Sequence, residues 1–276
     1  MTMYKLASKD RRAASVVRAA DVPFGDGGFS MIAGPCAVES RAQIERTAQF
    51  VALCGAQMLR GGAFKPRTSP YAFQGLGAEG VELIAQASGA ARLPCVVEAL
   101  CEADLDVLSG RVAMIQIGAR NMQNFALLRA AAKTGLPVLL KRSASATLDE
   151  VLYAAEYILV EGNPNVVLCE RGIRGFDPQT RNVFDLAGAL RLKELTHLPV
   201  IADPSHATGR ASLIEPVVLA AAAAGLDGAI VEVHPDPPQA LSDKEQALDF
   251  PAFERLMRRL GALLDTEPNV PLAACR

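Results

Sequence analysis

A chain of 276 residues, half of them apolar, is long enough to bury a large core. Its 28 basic and 30 acidic side chains leave a formal charge of -2 and are spread along the sequence, which excludes the strong one-signed field that recruits a nucleic acid or an anionic membrane. The apolar run at 217–225 falls well short of the ~20 residues of a bilayer span, and no apolar signal core follows Lys5, Lys9, Asp10, Arg11 and Arg12, so a cytoplasmic protein is expected.

Residues 1–30 stand apart: 4–6, 15–17 and the Gly-rich 25–28 predict a short N-terminal arm or hairpin, too small for a regulatory domain. From residue 31 short apolar runs alternate with longer amphipathic ones, the pattern of repeated βα units. Strands are expected at 31–33, 58–60, 95–98, 114–117, 138–141, 166–170, 200–203 and 229–233, eight in all. Two of the intervening helices are predicted to open with capping boxes, Ser40 with Gln43 and Thr147 with Glu150, in which a hydroxyl and an amide or acid three residues later satisfy orphan backbone amides. A final helix at 251–264 is expected to close the ring, and the tail 266–276, with two prolines, to fray.

Eight strands each followed by a helix point to the α/β class and to a single (β/α)8 TIM barrel over 31–265, although an open doubly wound sheet shows the same alternation over part of its length. The polar residues favour the barrel. Immediately after the apolar runs stand Gly34-Pro35-Cys36, Arg60, Glu98, Gly118-Ala119-Arg120, Lys141-Arg142, Glu170-Arg171, Asp203-Pro204-Ser205-His206 and Glu232. In a barrel every C-terminal strand end faces one rim, so these residues would converge.

That rim would gather the donors of a metal site: Cys36, His206, Glu232 and, in the loop after the eighth strand, Asp243. A thiolate, an imidazole and two carboxylates suit Mn, Fe, Zn or similar divalent ions better than Mg or Ca. The competing reading is that Cys36 is inert, as most lone cysteines are. The other five, Cys54, Cys95, Cys101, Cys169 and Cys275, lack the density of a disulfide framework and are expected mostly as buried small hydrophobes. His197 and His234 read as a loop residue and a neighbour of the site. Fixed positive charge for phosphate is supplied by Arg60, Lys65, Arg67, Arg120, Lys141, Arg142, Arg171 and Arg174. A solvated basic surface is the alternative, but Arg60, Arg120, Lys141 and Arg171 follow barrel strands and would point into the mouth, whereas Arg142 and Arg174 are not assigned a functional role. The run Lys65-Pro66-Arg67-Thr68-Ser69-Pro70 adds a stiff loop with cations and hydroxyls, a second anion cradle.

At these residues the chain resembles the 3-deoxy-D-arabino-heptulosonate 7-phosphate (DAHP) synthases, in the type I beta branch closer to the 3-deoxy-D-manno-octulosonate 8-phosphate synthases. The resemblance covers about residues 30–260 and rests on Gly34-Pro35-Cys36-Ala37-Val38-Glu39-Ser40, Leu59-Arg60-Gly61-Gly62-Ala63-Phe64-Lys65-Pro66-Arg67-Thr68, Gln116-Ile117-Gly118-Ala119-Arg120-Asn121, Leu140-Lys141-Arg142, Cys169-Glu170-Arg171-Gly172 and Asp203-Pro204-Ser205-His206. It implies a barrel enzyme that condenses phosphoenolpyruvate with erythrose 4-phosphate, the first committed step of the shikimate pathway to the aromatic amino acids. It also implies Cys36, His206, Glu232 and Asp243 as ligands of a divalent metal, Mn2+ first and Fe2+, Co2+, Zn2+ or Cd2+ as alternatives, and a homodimer or homotetramer. Arg120, Lys141 and Arg171 would then hold the phosphate of phosphoenolpyruvate, with Ala119 alongside and with Arg60 and Lys141 near its carboxylate. Lys65, Pro66, Arg67 and Thr68 would serve the aldose, and Glu98 would position water. Cys36, Lys65, Glu98, Lys141 and His206 would be the catalytic set.

The rival within that superfamily uses arabinose 5-phosphate and carries a Lys-Ala-Asn-Arg type of loop where this chain has Lys65-Pro66-Arg67-Thr68, so erythrose 4-phosphate is favoured; a non-catalytic barrel retaining the pocket is the rival of another class. Two departures stand out: Ser143-Ala144 replaces an expected Gly-Met, and Val97-Glu98-Ala99-Leu100-Cys101 a Thr-Glu-Val-Met-Asp pattern. No regulatory domain is expected, and hence no inhibition by phenylalanine or tyrosine through a domain of its own.

Overall fold

Short runs rich in Val, Ile, Leu and Met are suited to strands buried on both faces, and in the computed structural model, which describes residues 4–266, all eight expected strands form. Two further strands precede them, β1 (Val17–Ala19) and β2 (Val22–Phe24), paired antiparallel as the predicted hairpin. The eight are β3 (Ser30–Gly34), β4 (Met58–Arg60), β5 (Cys95–Ala99), β6 (Met114–Ile117), β7 (Val138–Lys141), β8 (Val166–Glu170), β9 (Val200–Ala202) and β10 (Gly228–Glu232). They pair in parallel in chain order, and β10 returns to β3 with Ala229 beside Met31 and Glu232 beside Gly34. The sheet is therefore a closed ring, not the open doubly wound alternative.

The helices α1 (Arg41–Leu53), α2 (Ala78–Ala91), α3 (Glu102–Leu108), α4 (Phe125–Lys133), α5 (Leu148–Leu159) and α6 (Leu186–Leu195) alternate with the strands, and α7 (Pro204–Thr208), α8 (Ala211–Ala223) and α9 (Phe250–Thr266) follow β9 and β10. At α5 the capping box is reciprocal, Thr147 accepting from the Glu150 amide and Glu150 from that of Thr147. At α1 only half of the expected box exists. Ser40 accepts from Gln43 N, but the Gln43 side chain is buried and turns away, its Oε1 accepting from Glu39 N and its Nε2 donating to Ala37 O. The β3–α1 loop needs those hydrogen bonds more than the helix start does. A box the sequence reading missed opens α3, where Asp104 accepts from the Cys101 amide. Helix α9 runs through Thr266; the fraying expected for the tail falls otherwise on residues outside the described ones. Among the described residues the cysteines are all free, with Cys36, Cys95 and Cys169 buried, Cys54 half-buried and Cys101 exposed.

Alternation at period two divides the apolar residues between two shells. Met31, Ala33, Leu59, Val97, Ile115, Ile117, Leu140, Leu168 and Val231 face outward into the helices. Ile32, Met58, Val96, Met114, Leu139, Val167, Ile201 and Ile230 form the barrel's own interior, together with Val17, Ala19, Val22 and Phe24 of the hairpin. The hairpin thus stoppers the barrel at the end from which the strands start, with Phe24 fully buried.

Candidate active site

Two residues beyond each inward-facing apolar side chain, the strands return to the same face one layer nearer the opposite end. Those positions are Gly34 after Ile32, Arg60 after Met58, Glu98 after Val96, Gln116 after Met114, Lys141 after Leu139, Cys169 after Val167, Asp203 after Ile201 and Glu232 after Ile230. At five of the eight strands the interior changes from hydrocarbon to charge within a single layer, at the carboxyl-terminal end where a barrel builds its sites.

Four donors meet there. One atom each of Cys36, Glu232 and Asp243 lies within 4.8 Å of the others, and His206 Nε2 is 3.3 Å from Glu232 Oε1 and 3.9 Å from Asp243 Oδ2. His206 rides on α7, whose N-cap is Asp203; the Asp203 carboxylate accepts from the His206 amide at 3.0 Å and faces its Nδ1 at 2.8 Å. That contact fixes the proton on Nδ1 and leaves the Nε2 lone pair aimed at the cluster. Burial lowers the imidazole's pKa against the pull of Asp203 and Glu232, which favours the neutral, ligating form. Burial, with Glu232 alongside, pushes the Cys36 thiol up to about 12; the thiol faces Asp243 Oδ2 at 3.3 Å and Lys65 Nζ at 3.0 Å. Cys36 is 4% exposed, so it lies below the rim on which the sequence had set it, because Lys65 folds over it.

Glu232 Oε1 is fully buried without a hydrogen-bond partner among the described residues. Arg60 Nη1 comes within 3.1 Å but in a poor direction for a bond, and His206 presents a lone pair. Two acceptors facing each other at 3.3 Å, with a thiol and a second carboxylate beside them, suit a divalent cation of the Mn, Fe, Co, Zn or Cd type.

Beside the cluster opens a cavity of about 660 Å³. Every substrate position expected from the sequence lines it: Arg60, Lys65, Pro66, Arg67, Thr68, Ala119, Arg120, Lys141 and Arg171, as well as Glu98. Lys141, Lys65 and Arg171 are buried, Arg67 is half-buried, and Thr68 and Arg120 are exposed at the rim. Asp203 receives Lys141 Nζ as well as His206, and those two hold its carboxyl well below the usual range despite burial, which acts the other way. Arg60 Nε and Nη1 are buried and make no hydrogen bond among the described residues, Nη1 lying against Glu232 Oε1, and Nη2 donates to Cys36 O at 3.3 Å, so the guanidinium stands as a fixed positive charge at the cavity wall. Glu98 Oε2 accepts from Gln116 Nε2 at 3.0 Å, while its Oε1 lies over Gly118, where a Cβ would come within 1.9 Å. Only glycine permits that close approach.

Arg142 stays out of the cavity, as expected. It pairs with Glu170 at 2.8 Å and Asp185 at 2.9 Å and donates to Ala146 O. Arg174, set aside with it, does reach the cavity wall, as do Ser143 and Ala144. His197 lies between Ser15 Oγ and Leu6 O, fastening the N-terminal arm, and His234 sits beside Glu39 at 3.3 Å. The sequence reading named Gln116 and Asp203 only within motifs, without a role, and did not name Arg181 or Gln246. The first two were within reach, since they occupy inward positions of β6 and of the turn after β9; the other two meet the site only through long loops.

The DAHP synthetase I family model matches residues 10–266 of the chain. A phospho-2-dehydro-3-deoxyheptonate aldolase of Thermotoga maritima is 47% identical over 263 residues, covering 95% of this chain and 78% of its own. A 2-dehydro-3-deoxyphosphooctonate aldolase of Nitrobacter hamburgensis is 33% identical over 269 residues, with 91% and 93% covered. The crystal structure of the phospho-2-dehydro-3-deoxyheptonate aldolase (DAHP synthase) from Thermotoga maritima matches with a TM-score of 0.93 at 46% identity, over 96% of this chain and 78% of that one. A truncated form of 3-deoxy-D-arabino-heptulosonate 7-phosphate synthase from the same organism matches at 0.89 and 42%, over 95% and 97%.

Proposed function

The chain belongs to the DAHP synthetase I family, and from that premise we propose how its mouth divides the work of a DAHP synthase. The reaction condenses phosphoenolpyruvate with erythrose 4-phosphate and water to give 3-deoxy-D-arabino-heptulosonate 7-phosphate and phosphate. The 47% identity to a heptonate aldolase against 33% to an octonate aldolase favours the four-carbon aldose, in agreement with the Lys65-Pro66-Arg67-Thr68 loop.

In this reaction C3 of the enol forms a bond to the aldehyde carbon, the aldehyde oxygen takes a proton and water adds to C2. The C2–O bond to phosphate then breaks, and the C2 hydroxyl gives up its proton as the ketone forms. Cys36, His206, Glu232 and Asp243 would hold the divalent cation, Mn2+ in the first instance; when bound it supplies Lewis acidity toward the aldehyde oxygen.

Arg120, Lys141 and Arg171 grip the phosphoenolpyruvate phosphate, with the Ala119 backbone beside them. Arg60 offers its fixed charge to the carboxylate, and Lys141 lies nearby. Lys65, Arg67 and Thr68 receive the aldose, Pro66 stiffening their loop. The Lys65 ammonium stands 3.0 Å from Cys36 Sγ; burial opposes its charge, but Cys36 and Glu232 outweigh burial and raise its pKa. It therefore carries a proton where the aldehyde oxygen needs one. Glu98, fixed through Gln116, orients the water toward C2. We further propose a cytoplasmic homodimer or homotetramer in which residues 1–30 are an arm and 31–265 the catalytic unit; no helix among the described residues is long and apolar enough to cross a membrane.

The observation that carries this reading is the meeting of Cys36, His206, Glu232 and Asp243 beside a cavity lined by Arg60, Lys65, Arg120, Lys141 and Arg171. The test is phosphate release from phosphoenolpyruvate with erythrose 4-phosphate and with arabinose 5-phosphate, before and after chelation. Release with the four-carbon sugar that stops on chelation and returns with Mn2+ is expected. Faster release with arabinose 5-phosphate would transfer the assignment to the octulosonate reaction.

A further inference from the structure

We propose that Arg181 and Gln246 form a relay that fixes which oxygen of Glu232 and which of Asp243 faces the divalent cation, and so set the site's affinity for it. The inference rests on the reading of those carboxylates as metal ligands. Neither relay residue is a ligand, and they come from different loops: Arg181 lies between β8 and α6, and Gln246 ends the single 3-10 turn Lys244–Gln246 after β10.

Gln246 is buried, and its Nε2 donates to Glu232 Oε2 at 2.7 Å. Its Oε1 accepts from Arg181 Nη1 at 3.0 Å, and the same Nη1 is 3.7 Å from Asp243 Oδ1. One oxygen of each carboxylate is thereby engaged from outside. The other two, Glu232 Oε1 and Asp243 Oδ2, are those that face His206 Nε2, and Asp243 Oδ2 also faces Cys36; Arg60 Nη1 stands 3.1 Å from Glu232 Oε1 without a hydrogen bond to it. An amide suits the central place because it can donate to one charged neighbour and accept from the other at once.

The backbone is arranged to hold Arg181 there. Its amide donates to Thr208 O at 3.0 Å, and its Cβ would stand 2.8 Å from a Cβ on Gly209, which also has φ +68. A side chain at residue 209 would push the Arg181 loop off the site.

These are positioning residues, so the test reads metal binding and not turnover alone. Outer hydrogen-bond partners of metal ligands commonly alter affinity about 10–100-fold. For Gln246→Ala the Mn2+ dissociation constant, measured by competition with a chromophoric chelator, is expected to rise within that range. Gln246→Met, which keeps the volume, should do the same. Arg181→Ala should have a smaller effect, because this side chain is 38% exposed. Combining Arg181→Ala with Gln246→Ala should add little, as expected for one chain of contacts. The phosphoenolpyruvate affinity of the two Gln246 variants at saturating Mn2+ should stay near wild type, which a general loosening of the mouth would not allow.

Mn2+ affinities within twofold of wild type for both Gln246 variants, with binding that still depends on Cys36, would overturn the relay and leave the metal centre standing. Failure of the wild-type chain to bind Mn2+, or binding indifferent to Cys36→Ala, would overturn both.

Discussion

Cys36 and Gly118 show how different the demands on single residues of this site are. The Cys36 thiol is held protonated by burial, with its pKa at about 12, so metal capture must displace that proton. Cys36→Ala should lose activity by about 100-fold or more, the scale on which a strong electrostatic contributor to a transition state is lost. It removes little volume, so the melting temperature should hold, and metal analysis should show the ion depleted; retained activity in the metal-stripped variant would sink the ligand role. Gly118→Ala makes the opposite kind of change, adding a methyl where the Glu98 carboxylate now lies. The displaced carboxylate should cost about 100-fold in kcat with KM for phosphoenolpyruvate little altered, as steady-state kinetics would show. The sequence exposed the donors themselves, because thiol, imidazole and carboxylates after apolar runs are conspicuous. It did not expose Asp203 or Gln116 as partners, because their importance comes from which face of the strand they share with Lys141 and Glu98.

Elements are tied together at the mouth by buried charge. Arg142 at the end of β7 reaches Glu170 at the end of β8 and Asp185 at the cap of α6, while Glu170 Oε1 accepts from Gly172 N at 2.6 Å. This network brackets Arg171 and holds the two strand ends that carry Lys141 and Arg171 at a fixed spacing. Arg142→Ala would leave Glu170 buried without its cation, its pKa, already raised by burial, driven further up, and a loss of about 3–5 kcal/mol is expected, measurable by denaturant unfolding; a change under about 1 kcal/mol would mean that water replaces the guanidinium. Strand positions were legible because buried parallel strands are short apolar runs separated by helical patterns. The α1 capping box was only half legible, since the spacing of Ser40 and Gln43 says nothing of the competing partners in the β3–α1 loop. Arg181 and Gln246 left no local signal at all, each being polar and in a loop.

For the molecule as a whole, the barrel has an apolar interior, a charged upper layer and a hairpin across its lower end. Phe24, fully buried against that interior, should cost about 3–5 kcal/mol when replaced by Ala, seen as a lowered unfolding midpoint. Turnover per folded molecule should persist, because the charged layer stands above the packed hydrocarbon; a parallel loss of kcat would mean that the two ends are coupled. Closure of the ring was anticipated from the count of βα units and the convergence of polar strand ends; a hairpin or arm was expected from 4–6, 15–17 and Gly25–Gly28, but its turn falls at Ala20-Asp21, ahead of those glycines, and its lodging inside the barrel depends on shape that no local pattern encodes.

The stopper has a consequence for traffic. With packed hydrocarbon filling the barrel above it, the chamber is a cul-de-sac, and whatever enters must leave by the same door. On the proposed division of the mouth, a guest held around Lys141 and Arg60 would have to arrive before one received at the threshold by Arg67 and Thr68, and the product left deepest would wait for the doorway to clear.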